Sequence, residues 1–202
     1  MDNSYPFLRF HTGARSFLAR SKQHIEAFET TEALEHIFYA ALELRFGIEA
    51  RLNEYLGPAL KSIGKDKKDI SDYVATKLLK RLLAIDPDAG RASTVRLTNE
   101  QRGRATVLQF TPVSGRLAAI HGQLGELLHF KFFTNNEHWM MRKPLGGKPH
   151  RSVADYLPLI KEGINELEHA TSGSLLSSPK FTRLVEEVIE ESTGEPPADG
   201  EA

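Results

Sequence analysis

The chain of 202 residues contains no cysteine and one tryptophan. Without thiols it forms no disulfide, and thiolate nucleophiles and thiolate metal sites are excluded, so a cytoplasmic setting is expected. Long apolar runs are missing too. No stretch approaches the roughly 20 residues of a membrane span. The start, MDNSYPFLRF, lacks the basic region and apolar core of a signal peptide, so no membrane partner is expected. Common catalytic signatures are also absent. There is no G-x-S-x-G elbow, dinucleotide fingerprint or Walker A loop, and Gly146-Gly147-Lys148 lacks the phosphate-loop spacing. Zinc would have to rest on histidine and carboxylate alone, and no H-E-x-x-H or similar cluster occurs. The expectation is therefore no metal and no cofactor, with hydride transfer, nucleotide phosphoryl transfer and serine-esterase chemistry disfavoured.

What the chain does have is 40% apolar residues, enough for a core, and a net charge of −1 that hides an asymmetry. Residues 161–202 carry 3 basic and 10 acidic side chains, which leaves 23 basic and 17 acidic in residues 1–160. A mildly basic body with an acidic tail suits either an ordinary solvated tail or an anionic partner with a self-masking segment.

Periodicity predicts helices with one β interruption. Residues 14–28 read as a first helix. EALEHIFYAALELRFGIEARLNEYL, from Glu32 to about Leu56, keeps a 3-4 apolar spacing and is expected to stop at Gly57-Pro58. Residues 70–85 read as a lysine-flanked helix closed by Asp86-Pro87. Thr94–Thr98 and Ala105–Phe110 alternate with a period of two and flank a polar turn, which predicts a β-hairpin. Such a hairpin is marginal alone and has to pack on the bundle.

The stretch 111–131, TPVSGRLAAIHGQLGELLHFK, opens with Pro112 and a capping Ser114. Leu117, Ile120, Leu124, Leu127 and Leu128 then form one stripe. Arg116 and His121 fall on its opposite shoulders, and His129 lines up with Gly122 and Gly125. Two helical glycines cost about 1 kcal/mol each against alanine, so the bare strip suggests a close approach by a helix, a subunit or a substrate. Residues 135–151 read as a loop carrying Trp139, Arg142, Lys143, Lys148 and Arg151. With Lys131 these are candidates for nucleic-acid contact by phosphate attraction and base stacking, although Trp139 also suits the edge of a core. Residues 152–170 read as a helix, capped by Ser152 and Asp155 and delayed by Pro158. Residues 171–192 are a linker and a short amphipathic helix, and residues 193–202 an acidic, disordered tail.

An Arg and His pair without metal ligands suits RNA transesterification: neutral histidine takes the 2′-hydroxyl proton while arginine stabilises the phosphorane-like charge. In the long helix, Arg45 at the edge of the apolar seam has Glu49 one turn on. That pair is either a salt bridge clipping the helix to the bundle or a guanidinium held for a phosphate.

Arg116-Leu-Ala-Ala-Ile-His121 is similar to the Arg-x4-6-His motif of HEPN-domain proteins, and ALELRFGIEARLNEYL with the Leu128-His129 pair resembles small bacterial HEPN-like proteins. The resemblance covers roughly residues 30–133. The residue after arginine is usually polar in that motif, and here it is Leu117. The resemblance implies a mainly α, antiparallel bundle of about five helices over residues 1–170, with the hairpin inserted near residues 93–110. It also implies a homodimer and a metal-independent ribonuclease of stress response or phage defence, with an antitoxin or a larger assembly as partner. Two site assignments stay open, Arg116 with His121, or Arg45 and Glu49 with His129. The alternative is a non-catalytic HEPN-like dimerisation or partner-binding module.

Overall fold

The computed structural model describes residues 12–65, 73–99, 104–128 and 153–173. They form a helical bundle of α1 (Ala14–Thr31), α2 (Glu35–Lys61), α3 (Ala75–Ile85), α4 (Gly115–Leu128) and α5 (Leu157–Ser172). An antiparallel hairpin of β1 (Ser93–Asn99) and β2 (Arg104–Phe110) lies between α3 and α4, with Ser93 opposite Phe110 and Asn99 opposite Arg104. The mainly α architecture and the inserted hairpin are those read from the sequence. α5 runs two residues into the expected linker, to Ser172. The linker beyond Gly173, the short amphipathic helix and the tail lie outside the described residues, as do His129, Lys131, Trp139, Arg142, Lys143, Lys148 and Arg151.

α2 is the central post and packs against each of the other four helices. Its apolar positions Ile37, Leu44, Ile48, Leu52 and Leu56 are completely buried, where they meet Leu117, Ile120 and Leu124 of α4 and Ile160 and Leu167 of α5 in one core. Each such side chain contributes roughly 1.5–3 kcal/mol on leaving water. The hairpin is tied down at its base. Phe110 is buried and meets the Tyr55 ring edge-on at 4.9 Å, while Val107, nearer the tip, is exposed.

Several boundaries differ from expectation, and α2 begins at Glu35, three residues after Glu32. α2 does not end at Gly57-Pro58 but runs on to Lys61 with Pro58 inside it. The ring of a proline clashes with the Cβ of the residue before it when that residue is helical. Gly57 has no Cβ, so the helix passes through and buries Ala59 and Leu60. α3 starts at Ala75, because Val74 is extended (ψ 116°); the earlier part of the expected helix lies largely outside the described residues. α1 runs three residues past Phe28 to Thr31 and closes on Glu32, whose left-handed φ of 56° lets its N–H donate to the Phe28 carbonyl at 2.8 Å. At α5 the delay by Pro158 is present. The turn Ala154–Tyr156 precedes the helix, and Pro158 sits in its first turn. Ser152 lies outside the described residues.

A buried polar knot joins α2 to the two segments that flank α4 and α5. Arg51, 4% exposed, donates to Glu54 Oε2 at 3.1 Å and reaches the Tyr55 hydroxyl and the Gly173 carbonyl, each at 3.4 Å. Tyr55 donates to the Thr111 carbonyl at 3.1 Å, and burial pushes its phenol above its ordinary range. Glu54 also accepts from the Ala14 N–H at 3.0 Å and so caps the start of α1. The knot fixes where α4 begins, and α4 carries half of the candidate site.

Candidate functional site

α2 and α4 run side by side, and their contact places three of the sequence-derived candidates together. His121 Nε2 lies 2.6 Å from Glu49 Oε1. Arg45 Nε lies 3.4 Å from the same imidazole nitrogen, and Arg45 Nη2 lies 3.9 Å from Glu49 Oε1. A 2.6 Å contact with a carboxylate oxygen requires a proton between the two atoms, which puts hydrogen on His121 Nε2 when Glu49 is ionised. That nitrogen then has no lone pair for Arg45, so the 3.4 Å approach is a contact rather than a second hydrogen bond. Arg45 is held loosely beside a tightly paired carboxylate and imidazole.

Exposure separates the three. The His121 side chain is 2% exposed, whereas Arg45 and Glu49 are 18% and 20% exposed. Solvent reaches the guanidinium and the carboxylate; the imidazole stands behind them. Gly122 sits beside His121 at the surface, and a Cβ added there would meet nothing within 4 Å. Gly125 is buried. The glycine strip is therefore split, one position facing the interior and one left open.

Arg116 does not join this cluster. Its guanidinium forms a two-pronged pair with Glu162 of α5, both oxygens at 2.6 Å. Those hydrogen bonds hold the Glu162 carboxyl below the usual carboxylate range. The four-residue spacing explains the separation. Positions five apart on a straight helix differ by about 140° at roughly 100° per residue, so Arg116 and His121 look different ways. Ser114 caps α4 as expected, accepting from the Leu117 N–H at 2.9 Å, and it donates to Glu166 at 2.7 Å. The pairing of Arg116 with His121 is not reproduced. Arg45 and Glu49 of the other assignment meet His121, and their expected partner His129 lies outside the described residues.

The sequence reading missed Glu162 and Glu166 as the partners of α4. The signal was weak, since two carboxylates four apart on a helix face look like any solvated surface. Among the described residues no cluster of three or more histidine, aspartate or glutamate side chains is arranged to hold a metal ion, and no helix is long and apolar enough to cross a membrane. Comparison of the chain with family models, curated proteins and solved structures gave no match.

Proposed function

We propose that the chain is a metal-independent RNA endonuclease of HEPN type, acting at Arg45, Glu49 and His121. The supporting observation is the convergence of a partly exposed arginine with a hydrogen-bonded carboxylate and imidazole from a second helix. Arg45 would hold the scissile phosphate, for which its fork of donors is suited. Glu49, the more exposed member of its pair, would take the 2′-hydroxyl proton on its second carboxylate oxygen, while the His121 Nε2–H behind it holds Oε1 in place. The 2′ oxygen bonds to phosphorus, the bond to the 5′ oxygen breaks, and the products carry a 2′,3′-cyclic phosphate and a 5′-hydroxyl. His129 is the candidate proton donor to the leaving oxygen. The open backbone at Gly122, next to His121, supports a homodimer across this face, and an antitoxin or defence assembly in the cytoplasm belongs to the same reading.

A second reading has its own support. With His121 buried and Arg116 saturated by Glu162, the cluster also suits a clasp between α2 and α4 in a non-catalytic partner-binding bundle. Incubating the purified chain with total cellular RNA in EDTA, and analysing product ends, separates the two. Cyclic phosphate ends that vanish in a folded Glu49→Gln variant support the nuclease. Intact RNA, together with a lowered melting temperature for the same variant, supports the clasp.

A further inference from the structure

We propose that the seam between α1 and α2 is an acid-sensitive joint, built on the stacked pair His24 and His36, which frees the C-terminal half of α1 from α2 as pH falls below neutrality. The two rings lie 5.8 Å apart with 30° between their planes, and the Tyr39 ring lies 5.4 Å from His24 on its outer side. The pair is half-buried, and Nδ1 of His36 is buried without a hydrogen-bond partner among the described residues.

The charges around the pair are uneven. The groups that act on His24 are His36 and Glu43 from α2 and Arg20 from α1 itself. Glu43 is already engaged, because Arg20 Nε donates to it at 2.8 Å. The charged side chains that α5 turns to α1, Lys161 and Glu168, are taken by Glu29 and Lys22. With both imidazoles protonated, three cations would share one carboxylate in a half-buried seam, and like charges this close repel. Burial and the neighbouring His36 already hold the His24 imidazole below its ordinary value of 6.5. The unfolded chain therefore takes up the His24 proton first. Stability from the neutral ring is complete above pH 6.5 and is lost as pH falls from there through the lower folded value.

Anchoring of α1 decides which half moves. Its first turn is fixed by Glu54 on the Ala14 N–H and by Arg15, whose Nε and Nη2 donate to the Thr171 carbonyl at 3.0 and 2.7 Å. Beyond the pair, the helix keeps Ile25 in the core, rests only the partly buried Phe28 against it, and adds the exposed ion pair of Glu29 with Lys161; exposed pairs contribute little. Opening therefore starts at the Thr31 end and stops near Ser21, whose buried hydroxyl donates to the Ala40 carbonyl at 2.9 Å.

The test is hydrogen exchange of the full chain between pH 7.5 and 5.5, corrected for intrinsic exchange rates, with wild type beside the double variant His24→Gln, His36→Phe. In wild type, opening of residues 24–31 should increase about fivefold or more on acidification, while residues 14–20 change by less than about twofold. The double variant should show no such difference. Equal change in both segments, or its persistence in the variant, overturns the proposal. Should the variant not fold, NMR titration of wild-type imidazoles decides. His24 titrating below 6.5 upholds the joint, and titration at or above 6.5 removes it.

Discussion

Replacing Gly163 by alanine would place a methyl carbon 2.7 Å from Leu44 Cδ2 and 3.0 Å from Ile120 Cγ2. Both neighbours are completely buried, one on α2 and one on α4, so Gly163 marks the point where α5 presses on two helices at once. Overpacking a close-packed interior costs about 1–3 kcal/mol, and two side chains must shift here, which favours the upper half of that range. Better helix propensity returns about 1 kcal/mol. The net expectation is a loss of about 1–2 kcal/mol. Gly122→Ala is the matched control, since its methyl would meet nothing within 4 Å. It keeps the propensity gain and should stabilise the monomer by about 0.5–1 kcal/mol. Urea denaturation followed by circular dichroism measures both, and for a chain of this size 1 kcal/mol also moves the melting temperature by about 2–4 °C. Equal signs for the two variants, or a stable Gly163→Ala, would refute the packing argument. Were Gly122→Ala more stable as a monomer yet weaker in self-association, the open glycine would be marked as a docking point.

Other substitutions probe the frame around the site. Tyr55→Phe removes the donor to the Thr111 carbonyl and a partner of the buried Arg51, and should cost about 1–3 kcal/mol in urea denaturation. Spectrophotometric titration should show the Tyr55 phenol ionising above the exposed tyrosines, as its burial requires. Ser114→Ala removes the cap of α4 and should cost about 0.5–2 kcal/mol, read as earlier melting. Glu162→Gln breaks an exposed two-pronged pair. It should leave RNA cleavage within about twofold of wild type, because such pairs contribute little and Arg116 lies outside the proposed catalytic cluster.

The bundle was legible because its signals are local. The 3-4 repeat of α2, the Ser114 cap and the two-residue alternation of the hairpin each follow from a few neighbouring residues. Pro58 misled because proline ends helices by its missing N–H and its crowding of the carbonyl four residues back. Without a Cβ on Gly57 the added clash with the preceding residue is absent, and α2 continues for one more turn. The site was legible only as a set of candidates. Arg45, Glu49 and His121 were each singled out, but which histidine faces which arginine depends on the rotation of α4 about its axis. That rotation is set by contacts far apart in sequence, the burial of Leu117, Ile120 and Leu124 among core residues of α2 and α5. The short Arg-x4-His spacing suggested a pair; helical geometry sends the two side chains in different directions.

Cleavage of RNA in EDTA by wild type, Arg45→Gln and Arg116→Gln, each verified as folded, tests the central claim most directly. The account predicts cyclic phosphate products from wild type, a loss of about 100-fold or more in Arg45→Gln, and nearly unchanged cleavage in Arg116→Gln. Cleavage that survives in Arg45→Gln but disappears in Arg116→Gln would contradict it and return the active site to the Arg116 and His121 motif.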